Sequence, residues 1–151
     1  MITYQIEQWS DFVGDATPIF YDHWKEVALY QDKIPLSVDD EKYRVMENAG
    51  LLHIVTARDD GALVGYFLSI MSVHPHYKEH SYAVNDVLYV VPDGRGSDIA
   101  VDMFKFAETE LKKLDISVIV LHMKVKKTFK SLVDYLGYDH AEMIYTKYIG
   151  K

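Results

Sequence analysis

The stretch from Asn85 to Lys113 constrains this chain more than any other. It opens Asn-Asp-Val-Leu-Tyr-Val-Val-Pro-Asp-Gly-Arg-Gly-Ser-Asp-Ile-Ala and runs on into a long amphipathic helix. The order is strand, turn, helix, with small residues and one arginine at the turn. Such a junction aims several backbone N–H groups and the positive end of a helix dipole at one spot. That spot can hold a phosphate or pyrophosphate, so a nucleotide-like ligand is the first expectation. The competing reading is an ordinary strand-to-helix turn.

Composition narrows the options. A chain of 151 residues, 49% of them hydrophobic, fills one domain, residues 1–151, and not two. With no cysteine, disulfides, thiolate metal sites and a cysteine nucleophile are all excluded. No basic-then-apolar leader opens the chain and no apolar run approaches bilayer length, so a cytoplasmic protein without a membrane partner is expected. A net charge of −7 argues against nucleic acid as the main partner. Lys124, Lys126, Lys127 and Lys130 form a local exception, usually the mark of a solvated helix face. His74, His76 and His80 crowd one loop but lack the helical spacing of a zinc site, so no metal is expected.

Periodicity sets out the elements. Ile2 to Glu7 alternates as a strand. A helix follows, with Thr17-Pro18 at its entry and Phe20, Trp24, Val27 and Ala28 on one face. Asp39 or Asp40 caps a second helix carrying Tyr43, Met46 and Ala49, which stops at Gly50. Leu52 to Arg58 and Ala62 to Val73 make a hairpin about Asp59-Asp60-Gly61, and a polar loop runs from Val73 to Ser81. A strand over Ala83 to Val91 leads into a helix that presents Ile99, Met103, Phe106, Ala107, Leu111 and Leu114 to the core. Ser117 to His122 reads as a strand buried on both faces. A helix from about Lys126 to Leu136, Gly137-Tyr138 and a last strand from Met143 to Ile149 complete the chain.

Val90-Val91-Pro92-Asp93-Gly94-Arg95-Gly96-Ser97-Asp98-Ile99-Ala100 resembles the acetyl-CoA-binding motif of the GNAT (Gcn5-related N-acetyltransferase) superfamily, in which a strand ending Val-x-Pro leads into Arg/Gln-x-x-Gly-x-Gly/Ala. Arg95 matches the first position and Ala100 the last, while the middle glycine is Asp98. The order of elements also resembles the GNAT order over nearly the whole chain. Gly137-Tyr138 is similar to the family's Gly-Phe pair and Tyr145-Thr-Lys to its closing strand. The compact chain resembles small GNAT proteins of bacteria and their phages.

The resemblance implies an α/β fold with a mixed, mostly antiparallel central sheet, a splayed parallel pair of fourth and fifth strands, and helices on both faces. Acetyl-CoA, the acyl donor, would lie in the wedge between the splayed strands. Val90 and Val91 would bond to its pantetheine arm. Arg95 and the amides of Gly96, Ser97, Ile99 and Ala100 would hold the pyrophosphate, with Asp98 capping the helix that starts there. A lysine of the basic run, Lys126 among them, would meet the 3′-phosphate if that run is not simply solvated.

Attack by an amine on a thioester needs a group to take a proton. Asp86 is the candidate base, on the same face as Leu88 and Val90 by the period-two rule; the alternative is a loop-end residue facing solvent. The tyrosine that many relatives carry four residues before Gly-Phe is Val133 here, and an asparagine common at the start of the same helix is Lys126. Tyr135 is the nearby candidate acid, half a turn away, with solvent as the alternative. Tyr30, Tyr43 and the histidine loop with Tyr77 and Tyr82 are candidate lining for the acceptor, a small-molecule amine or a protein lysine or N-terminus.

Two functions follow. The first is an N-acetyltransferase working by direct attack in a ternary complex, homodimerisation being common in the family. The second is a non-catalytic GNAT-like binding protein acting through a protein partner, favoured by Asp98, Val133 and Lys126. An unrelated dinucleotide fold is disfavoured because the phosphate-type turn comes late in the chain.

Overall fold

The computed structural model describes residues 1–151 as one five-stranded sheet in the order β1-β2-β3-β4-β5 with four α-helices. The strands are β1 (Ile2–Ile6), β2 (Leu52–Asp59), β3 (Ala62–His74), β4 (Tyr77–Val90) and β5 (Ile116–Val120). The helices are α1 (Trp9–Val27), α2 (Asp40–Asn48), α3 (Ile99–Lys113) and α4 (Lys130–Tyr135). Neighbouring strands run antiparallel except β4 and β5, which are parallel.

Local chemistry accounts for most boundaries. Asp60 and Gly61 both take positive φ, 46° and 91°, as a tight hairpin between β2 and β3 requires. Asp39 caps α2 by accepting from the Lys42 N–H at 2.9 Å, and Gly50 at φ 71° ends that segment. Gly137 at φ 82° turns the chain out of α4, and Tyr138 then packs on Phe104 and donates to Glu108 of α3 at 2.9 Å.

Each sheet face has its own core. On one, Trp9, Phe12, Ala16 and Phe20 of α1 pack against Ile54, Tyr66, Leu68 and Tyr89. On the other, Ile99, Met103, Phe104 and Ala107 of α3 meet Val55, Ala57 and Phe67, with Leu132 and Leu136 of α4 beside them. Trp9 fastens α2 to the first core. Its ring stacks on Tyr43 at 4.1 Å, its Nε1 donates to Asp40 at 2.7 Å, and its backbone N–H donates to Glu47 at 2.5 Å.

Five expectations are corrected. The first helix does not start at Thr17-Pro18 but runs through Pro18 from Trp9. Pro18 is exposed, so the Gly14 carbonyl that loses its donor can turn to water. Trp24 is only half-buried, and the core tryptophan is Trp9. The segment Val73 to Ser81 is no loop but the continuation of β3 and β4, with His74 paired to Tyr77 and the turn at Pro75-His76. β5 is an edge strand paired only with β4 and exposed at Ser117 and Val118, not buried on both faces. No strand forms over Met143–Ile149: the tail lies along the α1–α2 connection, where Tyr30 Oη meets Thr146 Oγ1 at 3.0 Å and Lys33 sits over the Tyr148 ring.

Two histidines are folded into this structure in the neutral form. His23 of α1 stacks on Tyr89 and bonds the Tyr66 hydroxyl at 3.0 Å; burial pushes it down to about 4. His53 of β2 is 4% exposed, faces Ser69 across the ladder and has no hydrogen-bond partner on either ring nitrogen, and burial pushes it down as well. Because the unfolded chain takes up these protons first, stability is complete above the ordinary histidine value and falls as pH drops through it. Denaturant midpoints measured from about pH 7 to about pH 5 should therefore decline, with His23 alone supplying roughly 2 kcal/mol of the loss by about pH 5. His23→Phe should flatten much of that decline.

Candidate functional site

The site begins where the β4–β5 ladder stops. Parallel pairing runs from Ser81↔Ile116 to Val84↔Val120 and goes no further. At the next position the Asn85 side chain replaces the ladder: its Oδ1 accepts from the His122 N–H at 2.6 Å and its Nδ2 donates to the His122 carbonyl at 3.2 Å. Beyond this clamp β4 continues to Val90, while the other strand turns away through Lys124–Lys127. The two strands splay, and one edge of β4 faces the gap.

Asp86 sits at the start of that gap. The register passes from Ser69↔Asn85 to Leu68↔Val87, leaving Asp86 as the extra residue of a β-bulge. The bulge breaks the alternation on which the sequence reading relied. Leu88 and Val90 pack toward α3, but Asp86 faces α2, where its carboxylate accepts a short hydrogen bond from the Tyr43 hydroxyl. Burial, with the Asp86 contact adding to it, pushes the Tyr43 hydroxyl well above its ordinary value, so Tyr43 is held as the donor. Tyr43, expected only as pocket lining, is thus the direct partner of the candidate base. No sequence signal joins two residues 43 apart.

The turn after β4 is the one at which the sequence reading expects a phosphate. Gly96 takes φ 80°, and a Cβ on Gly94 would lie 3.1 Å from Val90 Cγ1 and 3.2 Å from Ile99 Cδ1, so the backbone here favours glycine at both positions. The N–H groups of Gly96, Ser97, Asp98 and Ala100 have no acceptor within the protein, and they lie at the N-terminus of the 15-residue α3. This arrangement fits a phosphate. Asp98 occupies the N-cap position without making the expected side-chain cap; Ser97 stands in, its Oγ 3.4 Å from the Ile99 N–H and donating to Gly94 O at 2.6 Å.

Three expected ligands are placed differently. The Val91 N–H donates to Val64 O at 2.9 Å and its carbonyl accepts from Gly94, so Val91 is engaged inside the sheet and only Val90 faces the gap. Arg95 folds back toward α1: Nε donates to Val90 O at 2.9 Å, and the fork grips Glu26 at 2.7 and 2.8 Å. Lys126 lies in the exposed turn Lys124–Lys127 and not on a helix, because α4 starts only at Lys130.

Tyr135 is not brought to Asp86. It is 70% exposed on the α3 side of the sheet, with Lys105 Nζ over its ring, while Asp86 faces α2. Val133 is buried at its position. The histidines gather with Tyr77 and Tyr82 at the far end of the β3–β4 hairpin, and His80 bonds Ser117 at 2.8 Å. A groove of about 440 Å³ opens between α1 and the α1–α2 connection, lined by Val13, Thr17, Phe20, Leu36, Val38 and Asp40.

The same architecture recurs among solved structures. Ribosomal-protein-alanine N-acetyltransferase from Brucella melitensis biovar Abortus 2308 matches over 99% of this chain and 100% of its own, with TM-score 0.74 and 18% identity. A predicted acetyltransferase with acetyl-CoA from Clostridium acetobutylicum matches over 99% and 97%, with TM-score 0.70 and 18% identity. The fold is the GNAT fold. An aminoglycoside acetyltransferase from an uncultured soil metagenomic sample, in complex with sisomicin, shares it with TM-score 0.74 at 10% identity, covering 99% of this chain and 95% of its own. No protein-family model and no curated protein matches the sequence. No helix of this GNAT fold is long and apolar enough to cross a membrane.

The clamp can be tested alone. Asn85→Ala removes both bonds to His122 and should lower stability by about 1–2 kcal/mol. In hydrogen exchange, the His122 amide should lose protection while the Val91 amide, bonded within the sheet, keeps it.

Proposed function

We propose that this chain, as a single domain over residues 1–151, transfers an acetyl group from acetyl-CoA to a primary amine by direct attack in a ternary complex. The observation that carries the reading is the break in the β4–β5 ladder at Asn85 and His122, which leaves a strand edge beside the unpartnered amides of the turn. A pantetheine arm can add to that edge at Val90. The pyrophosphate can then meet the N–H groups of Gly96, Ser97, Asp98 and Ala100, with Ile99 on the same turn and Arg95 as the nearby cation, while Lys126 stays the candidate for the 3′-phosphate.

Asp86 is the base in this reading. As a bulge residue held by Tyr43, it projects at the start of the gap, where an acceptor ammonium would give up its proton before the free amine attacks the thioester carbonyl. Tyr135 is displaced by its position on the other side of the sheet, so solvent supplies the proton that the departing thiolate takes up. The GNAT fold is shared by proteins described as acting on ribosomal-protein alanine and on aminoglycosides, which supports a small-molecule amine or a protein N-terminus or lysine as acceptor.

One observation favours a second reading, a GNAT-like binding protein without catalysis. The arginine of the turn is paired with Glu26, and Asp98 adds a carboxylate where the motif has glycine. Thiol release from acetyl-CoA in the presence of a panel of primary amines decides between them. Turnover that Asp86→Asn lowers by roughly 10²- to 10⁴-fold supports the acetyltransferase. CoA binding without thiol release on any amine supports the binding protein.

A further inference from the structure

Glu26 stands one residue before the end of α1, at the negative end of the helix dipole, where a carboxylate is disfavoured. It is nevertheless held on both oxygens, by Arg95 Nη1 at 2.7 Å and Nη2 at 2.8 Å. The pair is not a buried structural bridge: the two side chains are 42% and 23% exposed, and such pairs add little to stability. Its geometry is the fork-on-two-oxygens arrangement by which arginine also grips phosphate. Arg95 is further fixed by Nε on Val90 O and by its stacking on Tyr89, 5.1 Å from the ring centroid. The fork therefore opens toward Glu26, one residue from the unpartnered Gly96 amide.

We propose that Glu26 is a donor-selecting residue of the site: its carboxylate occupies the Arg95 fork as an internal substitute for a phosphate, so a second phosphate of a pantetheine donor gains the fork only by displacing it. This rests on the acetyl-CoA reading above. A single phosphate needs only the amides of Gly96, Ser97, Asp98 and Ala100 and leaves the pair intact. A diphosphate reaching from those amides to Arg95 must break two charge-assisted bonds to make two similar ones. The protein as it stands thus draws little advantage from the second phosphate, and the part of the CoA-over-phosphopantetheine preference that this phosphate contributes is set at Glu26.

Calorimetric titration of the whole chain with CoA and with 4′-phosphopantetheine tests this, using the unaltered protein, Glu26→Gln, Glu26→Gln/Arg95→Ala, and Asp22→Asn as a control that removes a charge from the same helix without freeing the fork. The expected result is a CoA affinity raised about tenfold by Glu26→Gln, a phosphopantetheine affinity changed less than about twofold, no gain in the double variant and none in Asp22→Asn. CoA binding to the unaltered protein with no tightening in Glu26→Gln overturns the inference and leaves the acetyl-CoA reading standing. Binding of CoA by Glu26→Gln alone upholds the inference and turns the unaltered chain toward the non-catalytic reading. Binding of neither ligand by any of the four proteins overturns both. Circular dichroism confirms that each variant is folded before titration.

Discussion

The candidate site of this structure depends on one interrupted ladder. Two parallel strands that kept pairing would close the sheet and leave no edge for a ligand. Pairing stops after Val84↔Val120, and the stop is held by a side chain: the Asn85 amide gives the His122 backbone both a donor and an acceptor. Neither His122 group is left unsatisfied, which removes the usual penalty for breaking a ladder. The Asp86 bulge follows at once and swings the next side chain to the other face of the sheet. Gap and candidate base thus arise from the same two adjacent residues.

The partner that meets Asp86 on that face is held by aromatic packing some distance away. Trp9, fully buried, stacks on Tyr43 and is bonded by Asp40 and Glu47, so α2 is held against α1 at both of its ends. Tyr43, stacked on Trp9, is the α2 residue that reaches Asp86. Phe12 and Phe20 meet Tyr66 edge-on at 5.5 Å, extending the same cluster to β3 and toward His23. Apolar burial there supports both the fold and the aim of a polar group at the gap.

Electrostatically, the turn between β4 and α3 is balanced and not strongly positive. Arg95 is matched by Glu26, whose acidity is increased chiefly by that contact and also by Lys127. Asp93 and Asp98 stand on the turn itself. In the proposed site, a phosphate would rely on the unpartnered amides and the α3 dipole, both fixed by the backbone and untouched by side-chain pairing. A turn of this kind holds an anion by geometry more than by net charge.

Elements governed by local chemistry were legible in the sequence. The Asp60-Gly61 hairpin, the Asp39 cap, the strand-turn-helix at Asn85–Lys113 and the apolar stripe that begins at Ile99 all rest on dihedral preference or periodicity within a few residues, and all stand in the fold, except that the stripe ends at Leu111 and leaves Leu114 exposed. What failed had non-local causes. Pro18 is tolerated within α1 because its face is exposed, β5 is an edge because nothing pairs with its outer side, and the tail over Met143–Ile149 forms no strand because it lies along the α1–α2 connection. At the site, residue types together with the GNAT resemblance pointed to Asp86 and to the amides of the turn. The direction of Asp86, its bond to Tyr43 and the capture of Arg95 by Glu26, 69 residues away, were decided only by the tertiary structure. Period-two alternation cannot foresee a bulge, and a long charged side chain takes the nearest partner that the packed helices bring to it.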